Sequence, residues 1–501
     1  AVTGCGGSCS PEALLKSIMD SYKVTKTPNN LTVTTGISPG NLTENMIGMN
    51  MLSLDGLVKK AICAHLGMGK VFGEAVGNNK FPAFGIPLGV INHLYRAIAG
   101  KEPGVLTKIG IDTFADPRIE GCSLNELAKR EEPIVELIKI DRKDYLFYKS
   151  FPINVALIKA TYADVDGNIS FEHEAVISEQ FSMAAAAHNC GGIVIVQVED
   201  IKPKGSLKAK DCLIHNKLVD YVVIAKPDES LGDYNLPIYR PELTGESKIE
   251  INIEPYPLNI RKVCARRSAM EIKRGDMINL GVGMPDLIAK IASEEEFLND
   301  ICLSIECGPT GGLPIGGIAF GASINPETII STIDNFDLYD GGFLDLAILG
   351  LAEVDKNGNV NVSKFGSRVT GPGGFINITQ STKKIVFMGT FTAVNLKEEI
   401  IEDKLEILKE GEKKKFVNQL EQITFSAKNA LENNIDVLYV TERAVFKLRR
   451  GGLELIEIAP GIDLKKDILD LMEFKPIISQ NIKRMDPRIF KEEKMNLKEE
   501  I

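Results

Sequence analysis

Nine cysteines are scattered over 501 residues without a single CxxC unit. Thiols this dilute exclude a disulfide framework and suit a reducing compartment. The five histidines, His65, His93, His173, His188 and His215, include no HxxxH or HExxH pair, and none lies beyond residue 215. The sequence therefore carries no zinc signature, and no metal is expected. Cys307 has no histidine within its own half of the chain with which to form a nucleophilic dyad. No apolar run approaches the roughly 20 residues of a membrane-spanning helix; the most apolar stretch, 342–352, is broken by Asp345. A basic excess is missing as well, because 58 Lys and Arg face 68 Asp and Glu, a formal charge of −10. That balance argues against a dedicated nucleic-acid binder. The opening AVTGCGGSCSPEALL lacks both the basic and the long apolar region of a secretory signal, and it lacks an initiator Met. We expect sequence upstream of Ala1 and a cytoplasmic protein with neither membrane nor nucleic-acid partners.

What is present is an ordinary globular composition, 44% apolar and 25% charged, in a chain long enough for two or three domains of roughly 100–200 residues. The chain also repeats itself. ALIKATYADVDGNIS at 156–170 aligns without gaps on AILGLAEVDKNGNVN at 347–361, pairing Ala156 with Ala347, Asp164 with Asp355, Gly167 with Gly358 and Asn168 with Asn359. The following apolar runs, GGIVIVQV from 191 and KKIVFMGT from 383, keep nearly the same offset. Two related halves are the simplest explanation.

Short β-branched runs such as 193–198, 222–224 and 385–387 alternate with amphipathic stretches at 11–22 and 285–292. This alternation predicts an α/β fold with mostly parallel sheets. Pro11 and Pro285, each followed by an acid, are expected near first helical turns. The proline-rich, polar segment 226–258 is expected to link a first domain, 1–225, to a second, 259–501. The charged tail 490–501 reads as a solvated helix end or a disordered segment.

Three glycine clusters carry the chemical signals. In ICLSIECGPTGGLPIGGIAFGAS, 301–323, an apolar strand ends in one carboxylate, Glu306, ahead of Gly308, Gly311, Gly312, Gly316 and Gly317. An acid at the carboxyl end of a strand, facing a loop that lets backbone approach a ligand, stands where α/β sheets hold substrates. The same residues also fit a turn-rich connection with a solvated acid. The second cluster, Gly281-Val282-Gly283-Met284-Pro285, opens a helix and is suited to an anion, or else is simply a turn; Asp286 leaves the GxGxxG fingerprint incomplete. The third, 371–377, sets Gly373 beside Gly374 as consecutive backbone donors. The arginine pairs Arg266–Arg267 and Arg449–Arg450 read as solvated surface or as phosphate contacts, and His65 and His93 as core-edge or helix-surface residues.

The segment SIECGPTGGLPIGGIAFGASINPE resembles the active-site stretch of class I coenzyme A transferases, in particular the propionate (lactate) CoA-transferase and short-chain acyl-CoA transferase group. The likeness extends to KEPGVLTKIGIDTFADPR at 101–118, LFYKSFPINVALIKATYADVDGNISFE at 146–172, FDLYDGGFLDLAILGLAEVDKNGNVNVSKFG at 336–366, GPGGFINIT at 371–379 and IAPGIDLKKDILDLMEF at 458–474. It implies two related α/β CoA-transferase domains in one chain, the second carrying the catalytic acid. It places that acid at Glu306, the CoA-binding loop at 281–285, an oxyanion donor at Gly373 or Gly374, and coenzyme A or acyl-CoA as substrate. It further implies homo-oligomers and a ping-pong exchange of CoA between short-chain or moderately apolar carboxylic acids through a glutamyl-CoA thioester.

Two regions depart from the family pattern. Leu88 stands where a family glutamine would lie, which implies one side-chain oxyanion donor fewer and a more apolar pocket. Within 36–56, Pro39 replaces a second glutamine, and Met51 stands where a histidine–phenylalanine pair would begin. The same scaffold also admits an acyl-CoA hydrolase, or a catalytically weak acyl-CoA binding or sensing protein.

Overall fold

A computed structural model describes residues 1–226, 239–317 and 320–501. It contains two compact units, and their boundaries do not simply divide the chain in two. The first comprises 1–249, 305–340 and 363–377, and the second 250–304, 341–362 and 378–501. The first change of unit along the chain falls inside the expected linker, of which 227–238 lie outside the described residues. The exchange of 305–340 and 363–377 into the first unit has a local cause. After the strand Cys302–Ser304 the chain runs through two nested antiparallel strand pairs, Pro309–Thr310 with Thr328–Ile329 and Leu313–Pro314 with Ser323–Ile324, and the helix Thr332–Asp340 before it reaches the strand Leu346–Gly350.

In the first unit, three parallel strands stand in the order Leu31–Ile37, Val58–His65, Ala83–Gly85. Three more lie in the order Tyr221–Ile224, Ile193–Val198, Val155–Lys159, also parallel. Sequences such as LTVTTGI and IVIVQV are rich in β-branched side chains that fit a pleated, buried surface. The helix Leu88–Ala99 buries Leu88, Val90, Ile91, Leu94, Tyr95 and Ile98, a broad apolar face, while His93 and Arg96 lie within ion-pair distance of Asp337.

Most of the second unit's long strands lie in one sheet, beside which smaller sheets form. The parallel strands Cys302–Ser304, Met277–Leu280, Leu346–Gly350, Lys384–Met388 and Asp436–Val440 continue into the antiparallel Ala444–Arg449 and Gly452–Ile458, then the parallel Ile477–Arg484.

The sequence repeat is a structural one. Val155–Lys159, Tyr162–Asp164 and Ile169–Ser170 have their counterparts in Leu346–Gly350, Glu353–Asp355 and Val360–Asn361, all at the same offset in the chain. In each copy an aspartate closes the loop between two antiparallel strands. Asp164 accepts the backbone N–H of Asp166 (3.0 Å) and Asn168 (2.9 Å) and the Asn168 amide (2.9 Å). Asp355 accepts the equivalent three from Asn357 and Asn359, each at 2.9 Å. The matching glycines have φ of 91° and 92°, a left-handed turn that a side chain would strain.

Helix starts fall close to expectation. Pro11 caps the helix Glu12–Thr25 and Asp286 precedes Leu287–Glu294, one to two residues inside the expected positions. One expectation needs refining and one correcting. The tail is largely solvated and ends in the short helix Leu497–Glu499, as one of the two readings had it, but it is anchored: 491–494, 496 and 498–500 are exposed, whereas Phe490, Met495 and Leu497 are buried and the backbone N–H groups of Met495 and Leu497 donate to Glu295 at 2.8 and 3.1 Å. Arg266 and Arg267 are not a surface pair. Arg266 donates to Glu294 and to the tail carbonyl of Glu493, and Arg267 forms a two-pronged pair with Glu457, so both guanidinium groups are spent on holding the unit together.

Candidate active site

Glu306 sits at the tip of a tight turn, two residues beyond the strand that ends at Ser304. Ile305 donates to Pro309 O (3.0 Å) and Gly308 to Ile305 O (2.9 Å). A side chain at Gly308 would put its Cβ 2.0 Å from Ile330 O, at φ +115°, so this turn requires glycine. The start of the helix Thr332–Asp340 clamps the turn from outside. Asn335 Nδ2 donates to Ile305 O (3.0 Å) and Glu306 O (3.1 Å), and Thr332 Oγ1 to Cys307 O (3.1 Å). A backbone fixed at three carbonyls leaves the Glu306 side chain as the part able to move.

The carboxyl group meets the 371–374 loop. Gly374 donates its N–H to the Glu306 carboxylate. The approach is so close that a Cβ on residue 374 would lie 1.9 Å from Glu306 Oε2 and 3.0 Å from the Phe336 ring. The loop is held in turn by the carboxyl end of the strand Val58–His65: Gly373 N–H donates to Ala64 O (3.0 Å), and Leu66 N–H to Thr370 O (2.7 Å). Gly373 O receives the N–H of Leu88 (2.9 Å), and the Asn377 side chain bridges Gly89 N–H (3.1 Å) and both oxygens of Asp340 (2.9 and 3.1 Å). Strand end, helix start and glycine loop thus form one hydrogen-bonded frame within the first unit.

Burial dominates the electrostatics. Glu306 is 9% exposed, and desolvation lifts its carboxyl from the usual 4.5 to about 7, against the stabilising Gly374 N–H. The same effect lifts Asp340 to about 7 and lowers His65, whose ring lies against Gly373, to about 4, so this imidazole is neutral. A carboxylate that is half ionised near neutrality and poorly solvated is a better nucleophile than one in water. Backbone donors at its side are suited to charge that develops on a neighbouring oxygen.

The structure brings together Glu306, Gly374, Gly373 and Leu88. Of the two paired glycines only Gly374 faces the acid, since the Gly373 N–H is taken by Ala64. Gly308 belongs to the Glu306 turn, Gly311 and Gly312 join the strands Pro309–Thr310 and Leu313–Pro314 that follow it, and Gly317 is exposed; Gly316 lies beside it. Residues 281–285 belong to the second unit, directly after the strand Met277–Leu280. There Val282 is exposed, while Gly283 N–H donates to Asp286 (3.0 Å), whose carboxyl is lifted to about 6 by burial. Among the described residues no group of three or more His, Cys, Asp or Glu is placed to hold a metal ion, and no helix is long and apolar enough to cross a membrane.

Sequence reasoning missed Asn335 and a second buried acid, Glu179. Glu179 accepts backbone N–H groups from Gly4 and Gly36, and its carboxyl is raised to about 7 by burial. Leu88 and Asn92, one turn apart on the same helix face, pack beside it at Gly36. The four-residue spacing of Leu88 and Asn92 was the available signal.

A solved structure decides what this frame belongs to. Acyl-CoA transferase YdiF of Escherichia coli O157:H7, crystallised as a thioester complex with CoA, superposes with a TM-score of 0.92 at 41% identity, over 99% of this chain and 93% of that one. The chain belongs to the coenzyme A transferase family. The family model described as coenzyme A transferase matches residues 1–225. Caffeate CoA-transferase of Acetobacterium woodii is 48% identical over 497 residues, covering 98% of this transferase and 94% of the relative. Acetate CoA-transferase YdiF of Escherichia coli K12 is 44% identical over 487 residues, 97% and 90% of the two chains. The transferase has the α/β fold of two related domains in one chain, and it is an enzyme that moves CoA between acyl-CoA and carboxylate.

Proposed function

We propose that Glu306 is the nucleophile of this CoA transfer and that the transferase passes through a covalent glutamyl-CoA thioester. The observation that carries the reading is the buried Glu306 carboxyl, lifted to about 7 and held by Gly374 N–H, in a turn locked by Asn335. A Glu306 oxygen attacks the thioester carbonyl, and the Gly374 N–H holds the oxyanion that forms. Collapse expels CoA thiolate and leaves an acyl-glutamyl anhydride. The thiolate then attacks the glutamyl carbonyl, releasing the first acid as its carboxylate and leaving CoA joined to Glu306. An acceptor carboxylate reverses the two steps. Thioester energy is conserved only if water is kept from both intermediates, which a 9% exposed acid favours.

The substrates are short-chain or moderately apolar monocarboxylates. Two relatives are named for acetate and caffeate, and the buried Leu88 beside the acid's frame supplies apolar rather than hydrogen-bonding surface. Residues 281–285 are the CoA-binding loop in this reading, supported by the exposed Val282 ahead of a helix start. The partition of 1–225 and 259–501 into the two related domains belongs to the same proposal.

Initial rates of exchange between acetyl-CoA and a panel of acetate, propionate, butyrate, lactate and an aromatic acid test it. Parallel double-reciprocal lines, with CoA released only in trace amounts when no acceptor is present, are expected. Intersecting lines, or CoA release that ignores the acceptor, contradict it.

A further inference from the structure

Residue 307, next to the proposed nucleophile, is a cysteine that the transfer chemistry does not use. Its Sγ lies 2.6 Å from Sγ of Cys5, 302 positions away, and both thiols are free and fully buried. That separation is within roughly 0.6 Å of a disulfide bond length. Cys9 is close by, but its Sγ donates to Val176 O (3.3 Å), so the pairing geometry selects Cys5. Cys5 belongs to a glycine-rich loop near the N-terminus, GCGGSC at 4–9, whose backbone is closed by reciprocal hydrogen bonds between Cys5 and Ser8. Cys307 O accepts from Thr332, within the clamp on the Glu306 turn.

We propose that Cys5 and Cys307 form an oxidation site, closed to an intramolecular disulfide by hydrogen peroxide, that ties the N-terminal loop to the Glu306 turn and lowers turnover. The Cys5 sulfur attacks one peroxide oxygen and the O–O bond breaks, giving Cys5 sulfenic acid and one water. The Cys307 sulfur then attacks the sulfenic sulfur; the S–O bond breaks, and the thiol proton leaves with the hydroxide as a second water. Two thiols and one peroxide become one disulfide and two waters, and dithiothreitol reverses the change by exchange. Closing the bond pulls on the residue bonded to Glu306. Misplacing a reacting group by about 1 Å costs on the order of 100-fold in rate, so a shift of roughly half that is expected to cost about 10-fold.

The test uses the full-length transferase treated with hydrogen peroxide, alkylated without reduction, digested and analysed by mass spectrometry, with CoA exchange assayed in parallel. The exposed Cys190 reports the oxidant dose. The expected result is a peptide pair joined through Cys5 and Cys307, an exchange rate that falls about 10-fold or more as the pair accumulates, and recovery of both with dithiothreitol. C5S and C5A each keep basal exchange and resist the peroxide. The cross-link is read in the wild type, so it stands whether or not those variants fold, and whether or not Glu306 is the nucleophile. Oxidation of Cys190 without the joined peptides overturns the proposal, as does a peroxide sensitivity equal in C5S, C5A and wild type.

Discussion

At the scale of single residues, everything converges on one carboxyl whose charge is expensive in its surroundings. Glu306 is lifted from 4.5 to about 7 mainly by burial, so the ionised, attacking form is depleted in acid. Exchange kcat/KM should fall as pH drops below about 7, reaching tenfold per unit, and a pH–rate profile reads that limb directly. The stability effect has the opposite sign. A folded-state value above the unfolded one means that ionisation opposes folding, with no cost below about 4.5 and the full cost above about 7. Glu306→Gln should therefore lose activity at least about 10³-fold yet be more stable than wild type at pH 8, by on the order of 3 kcal/mol at most. The advantage should vanish near pH 4, as thermal melts across pH would show. Gly374→Ala puts a methyl 1.9 Å from Glu306 Oε2; we expect about a 10²-fold fall in kcat with far-ultraviolet circular dichroism unchanged. Glu306 was legible in the sequence because strand, acid and glycine loop are adjacent there. The need for glycine at 374 was not, because it arises from a contact across 68 positions of chain.

At the scale of elements, local hydrogen bonding was legible and long-range burial was not. The aspartate-closed loops at 164 and 355 span four residues, so their spacing could be read from the chain. Met495 and Leu497, by contrast, are covered through Glu295, some 200 residues away, and the tail's charge alone suggested solvent. Asp164→Ala and Asp355→Ala each remove three hydrogen bonds. Each should cost about 2–3 kcal/mol, and as neither loop shares a partner with the other, the double variant should show the sum in urea titrations. Burial pushes Asp164 up, but the Asn168 side chain and backbone N–H groups outweigh it and hold the group below its usual range; its contribution is thus present above the unfolded value and lost on acidification. Asn335→Ala frees the carbonyls of Ile305 and Glu306. It should lower kcat with little change in KM, since the loosened turn misplaces the acid without touching bound acyl-CoA; steady-state kinetics separates the two.

At the scale of the whole molecule, the duplication explains why one chain holds two α/β domains, and the exchanged segments explain why the proposed nucleophile leaves its own half. Segments 305–340 and 363–377, from the second half of the sequence, pack with 1–249. An offset between repeats reveals that a fold is doubled, but a segment's choice of unit is set by contacts such as Gly373 with Ala64 that no periodicity encodes. Leu88, read as a departure from the family pattern, sits in the same frame. The central claim is that CoA becomes bonded to Glu306 in every cycle. The most direct test mixes the transferase with acetyl-CoA, reduces the adduct with borohydride and maps the modified peptide by mass spectrometry. The account predicts modification at Glu306 alone, absent from Glu306→Gln; an unmodified Glu306 in enzyme proven to be exchanging CoA would contradict it.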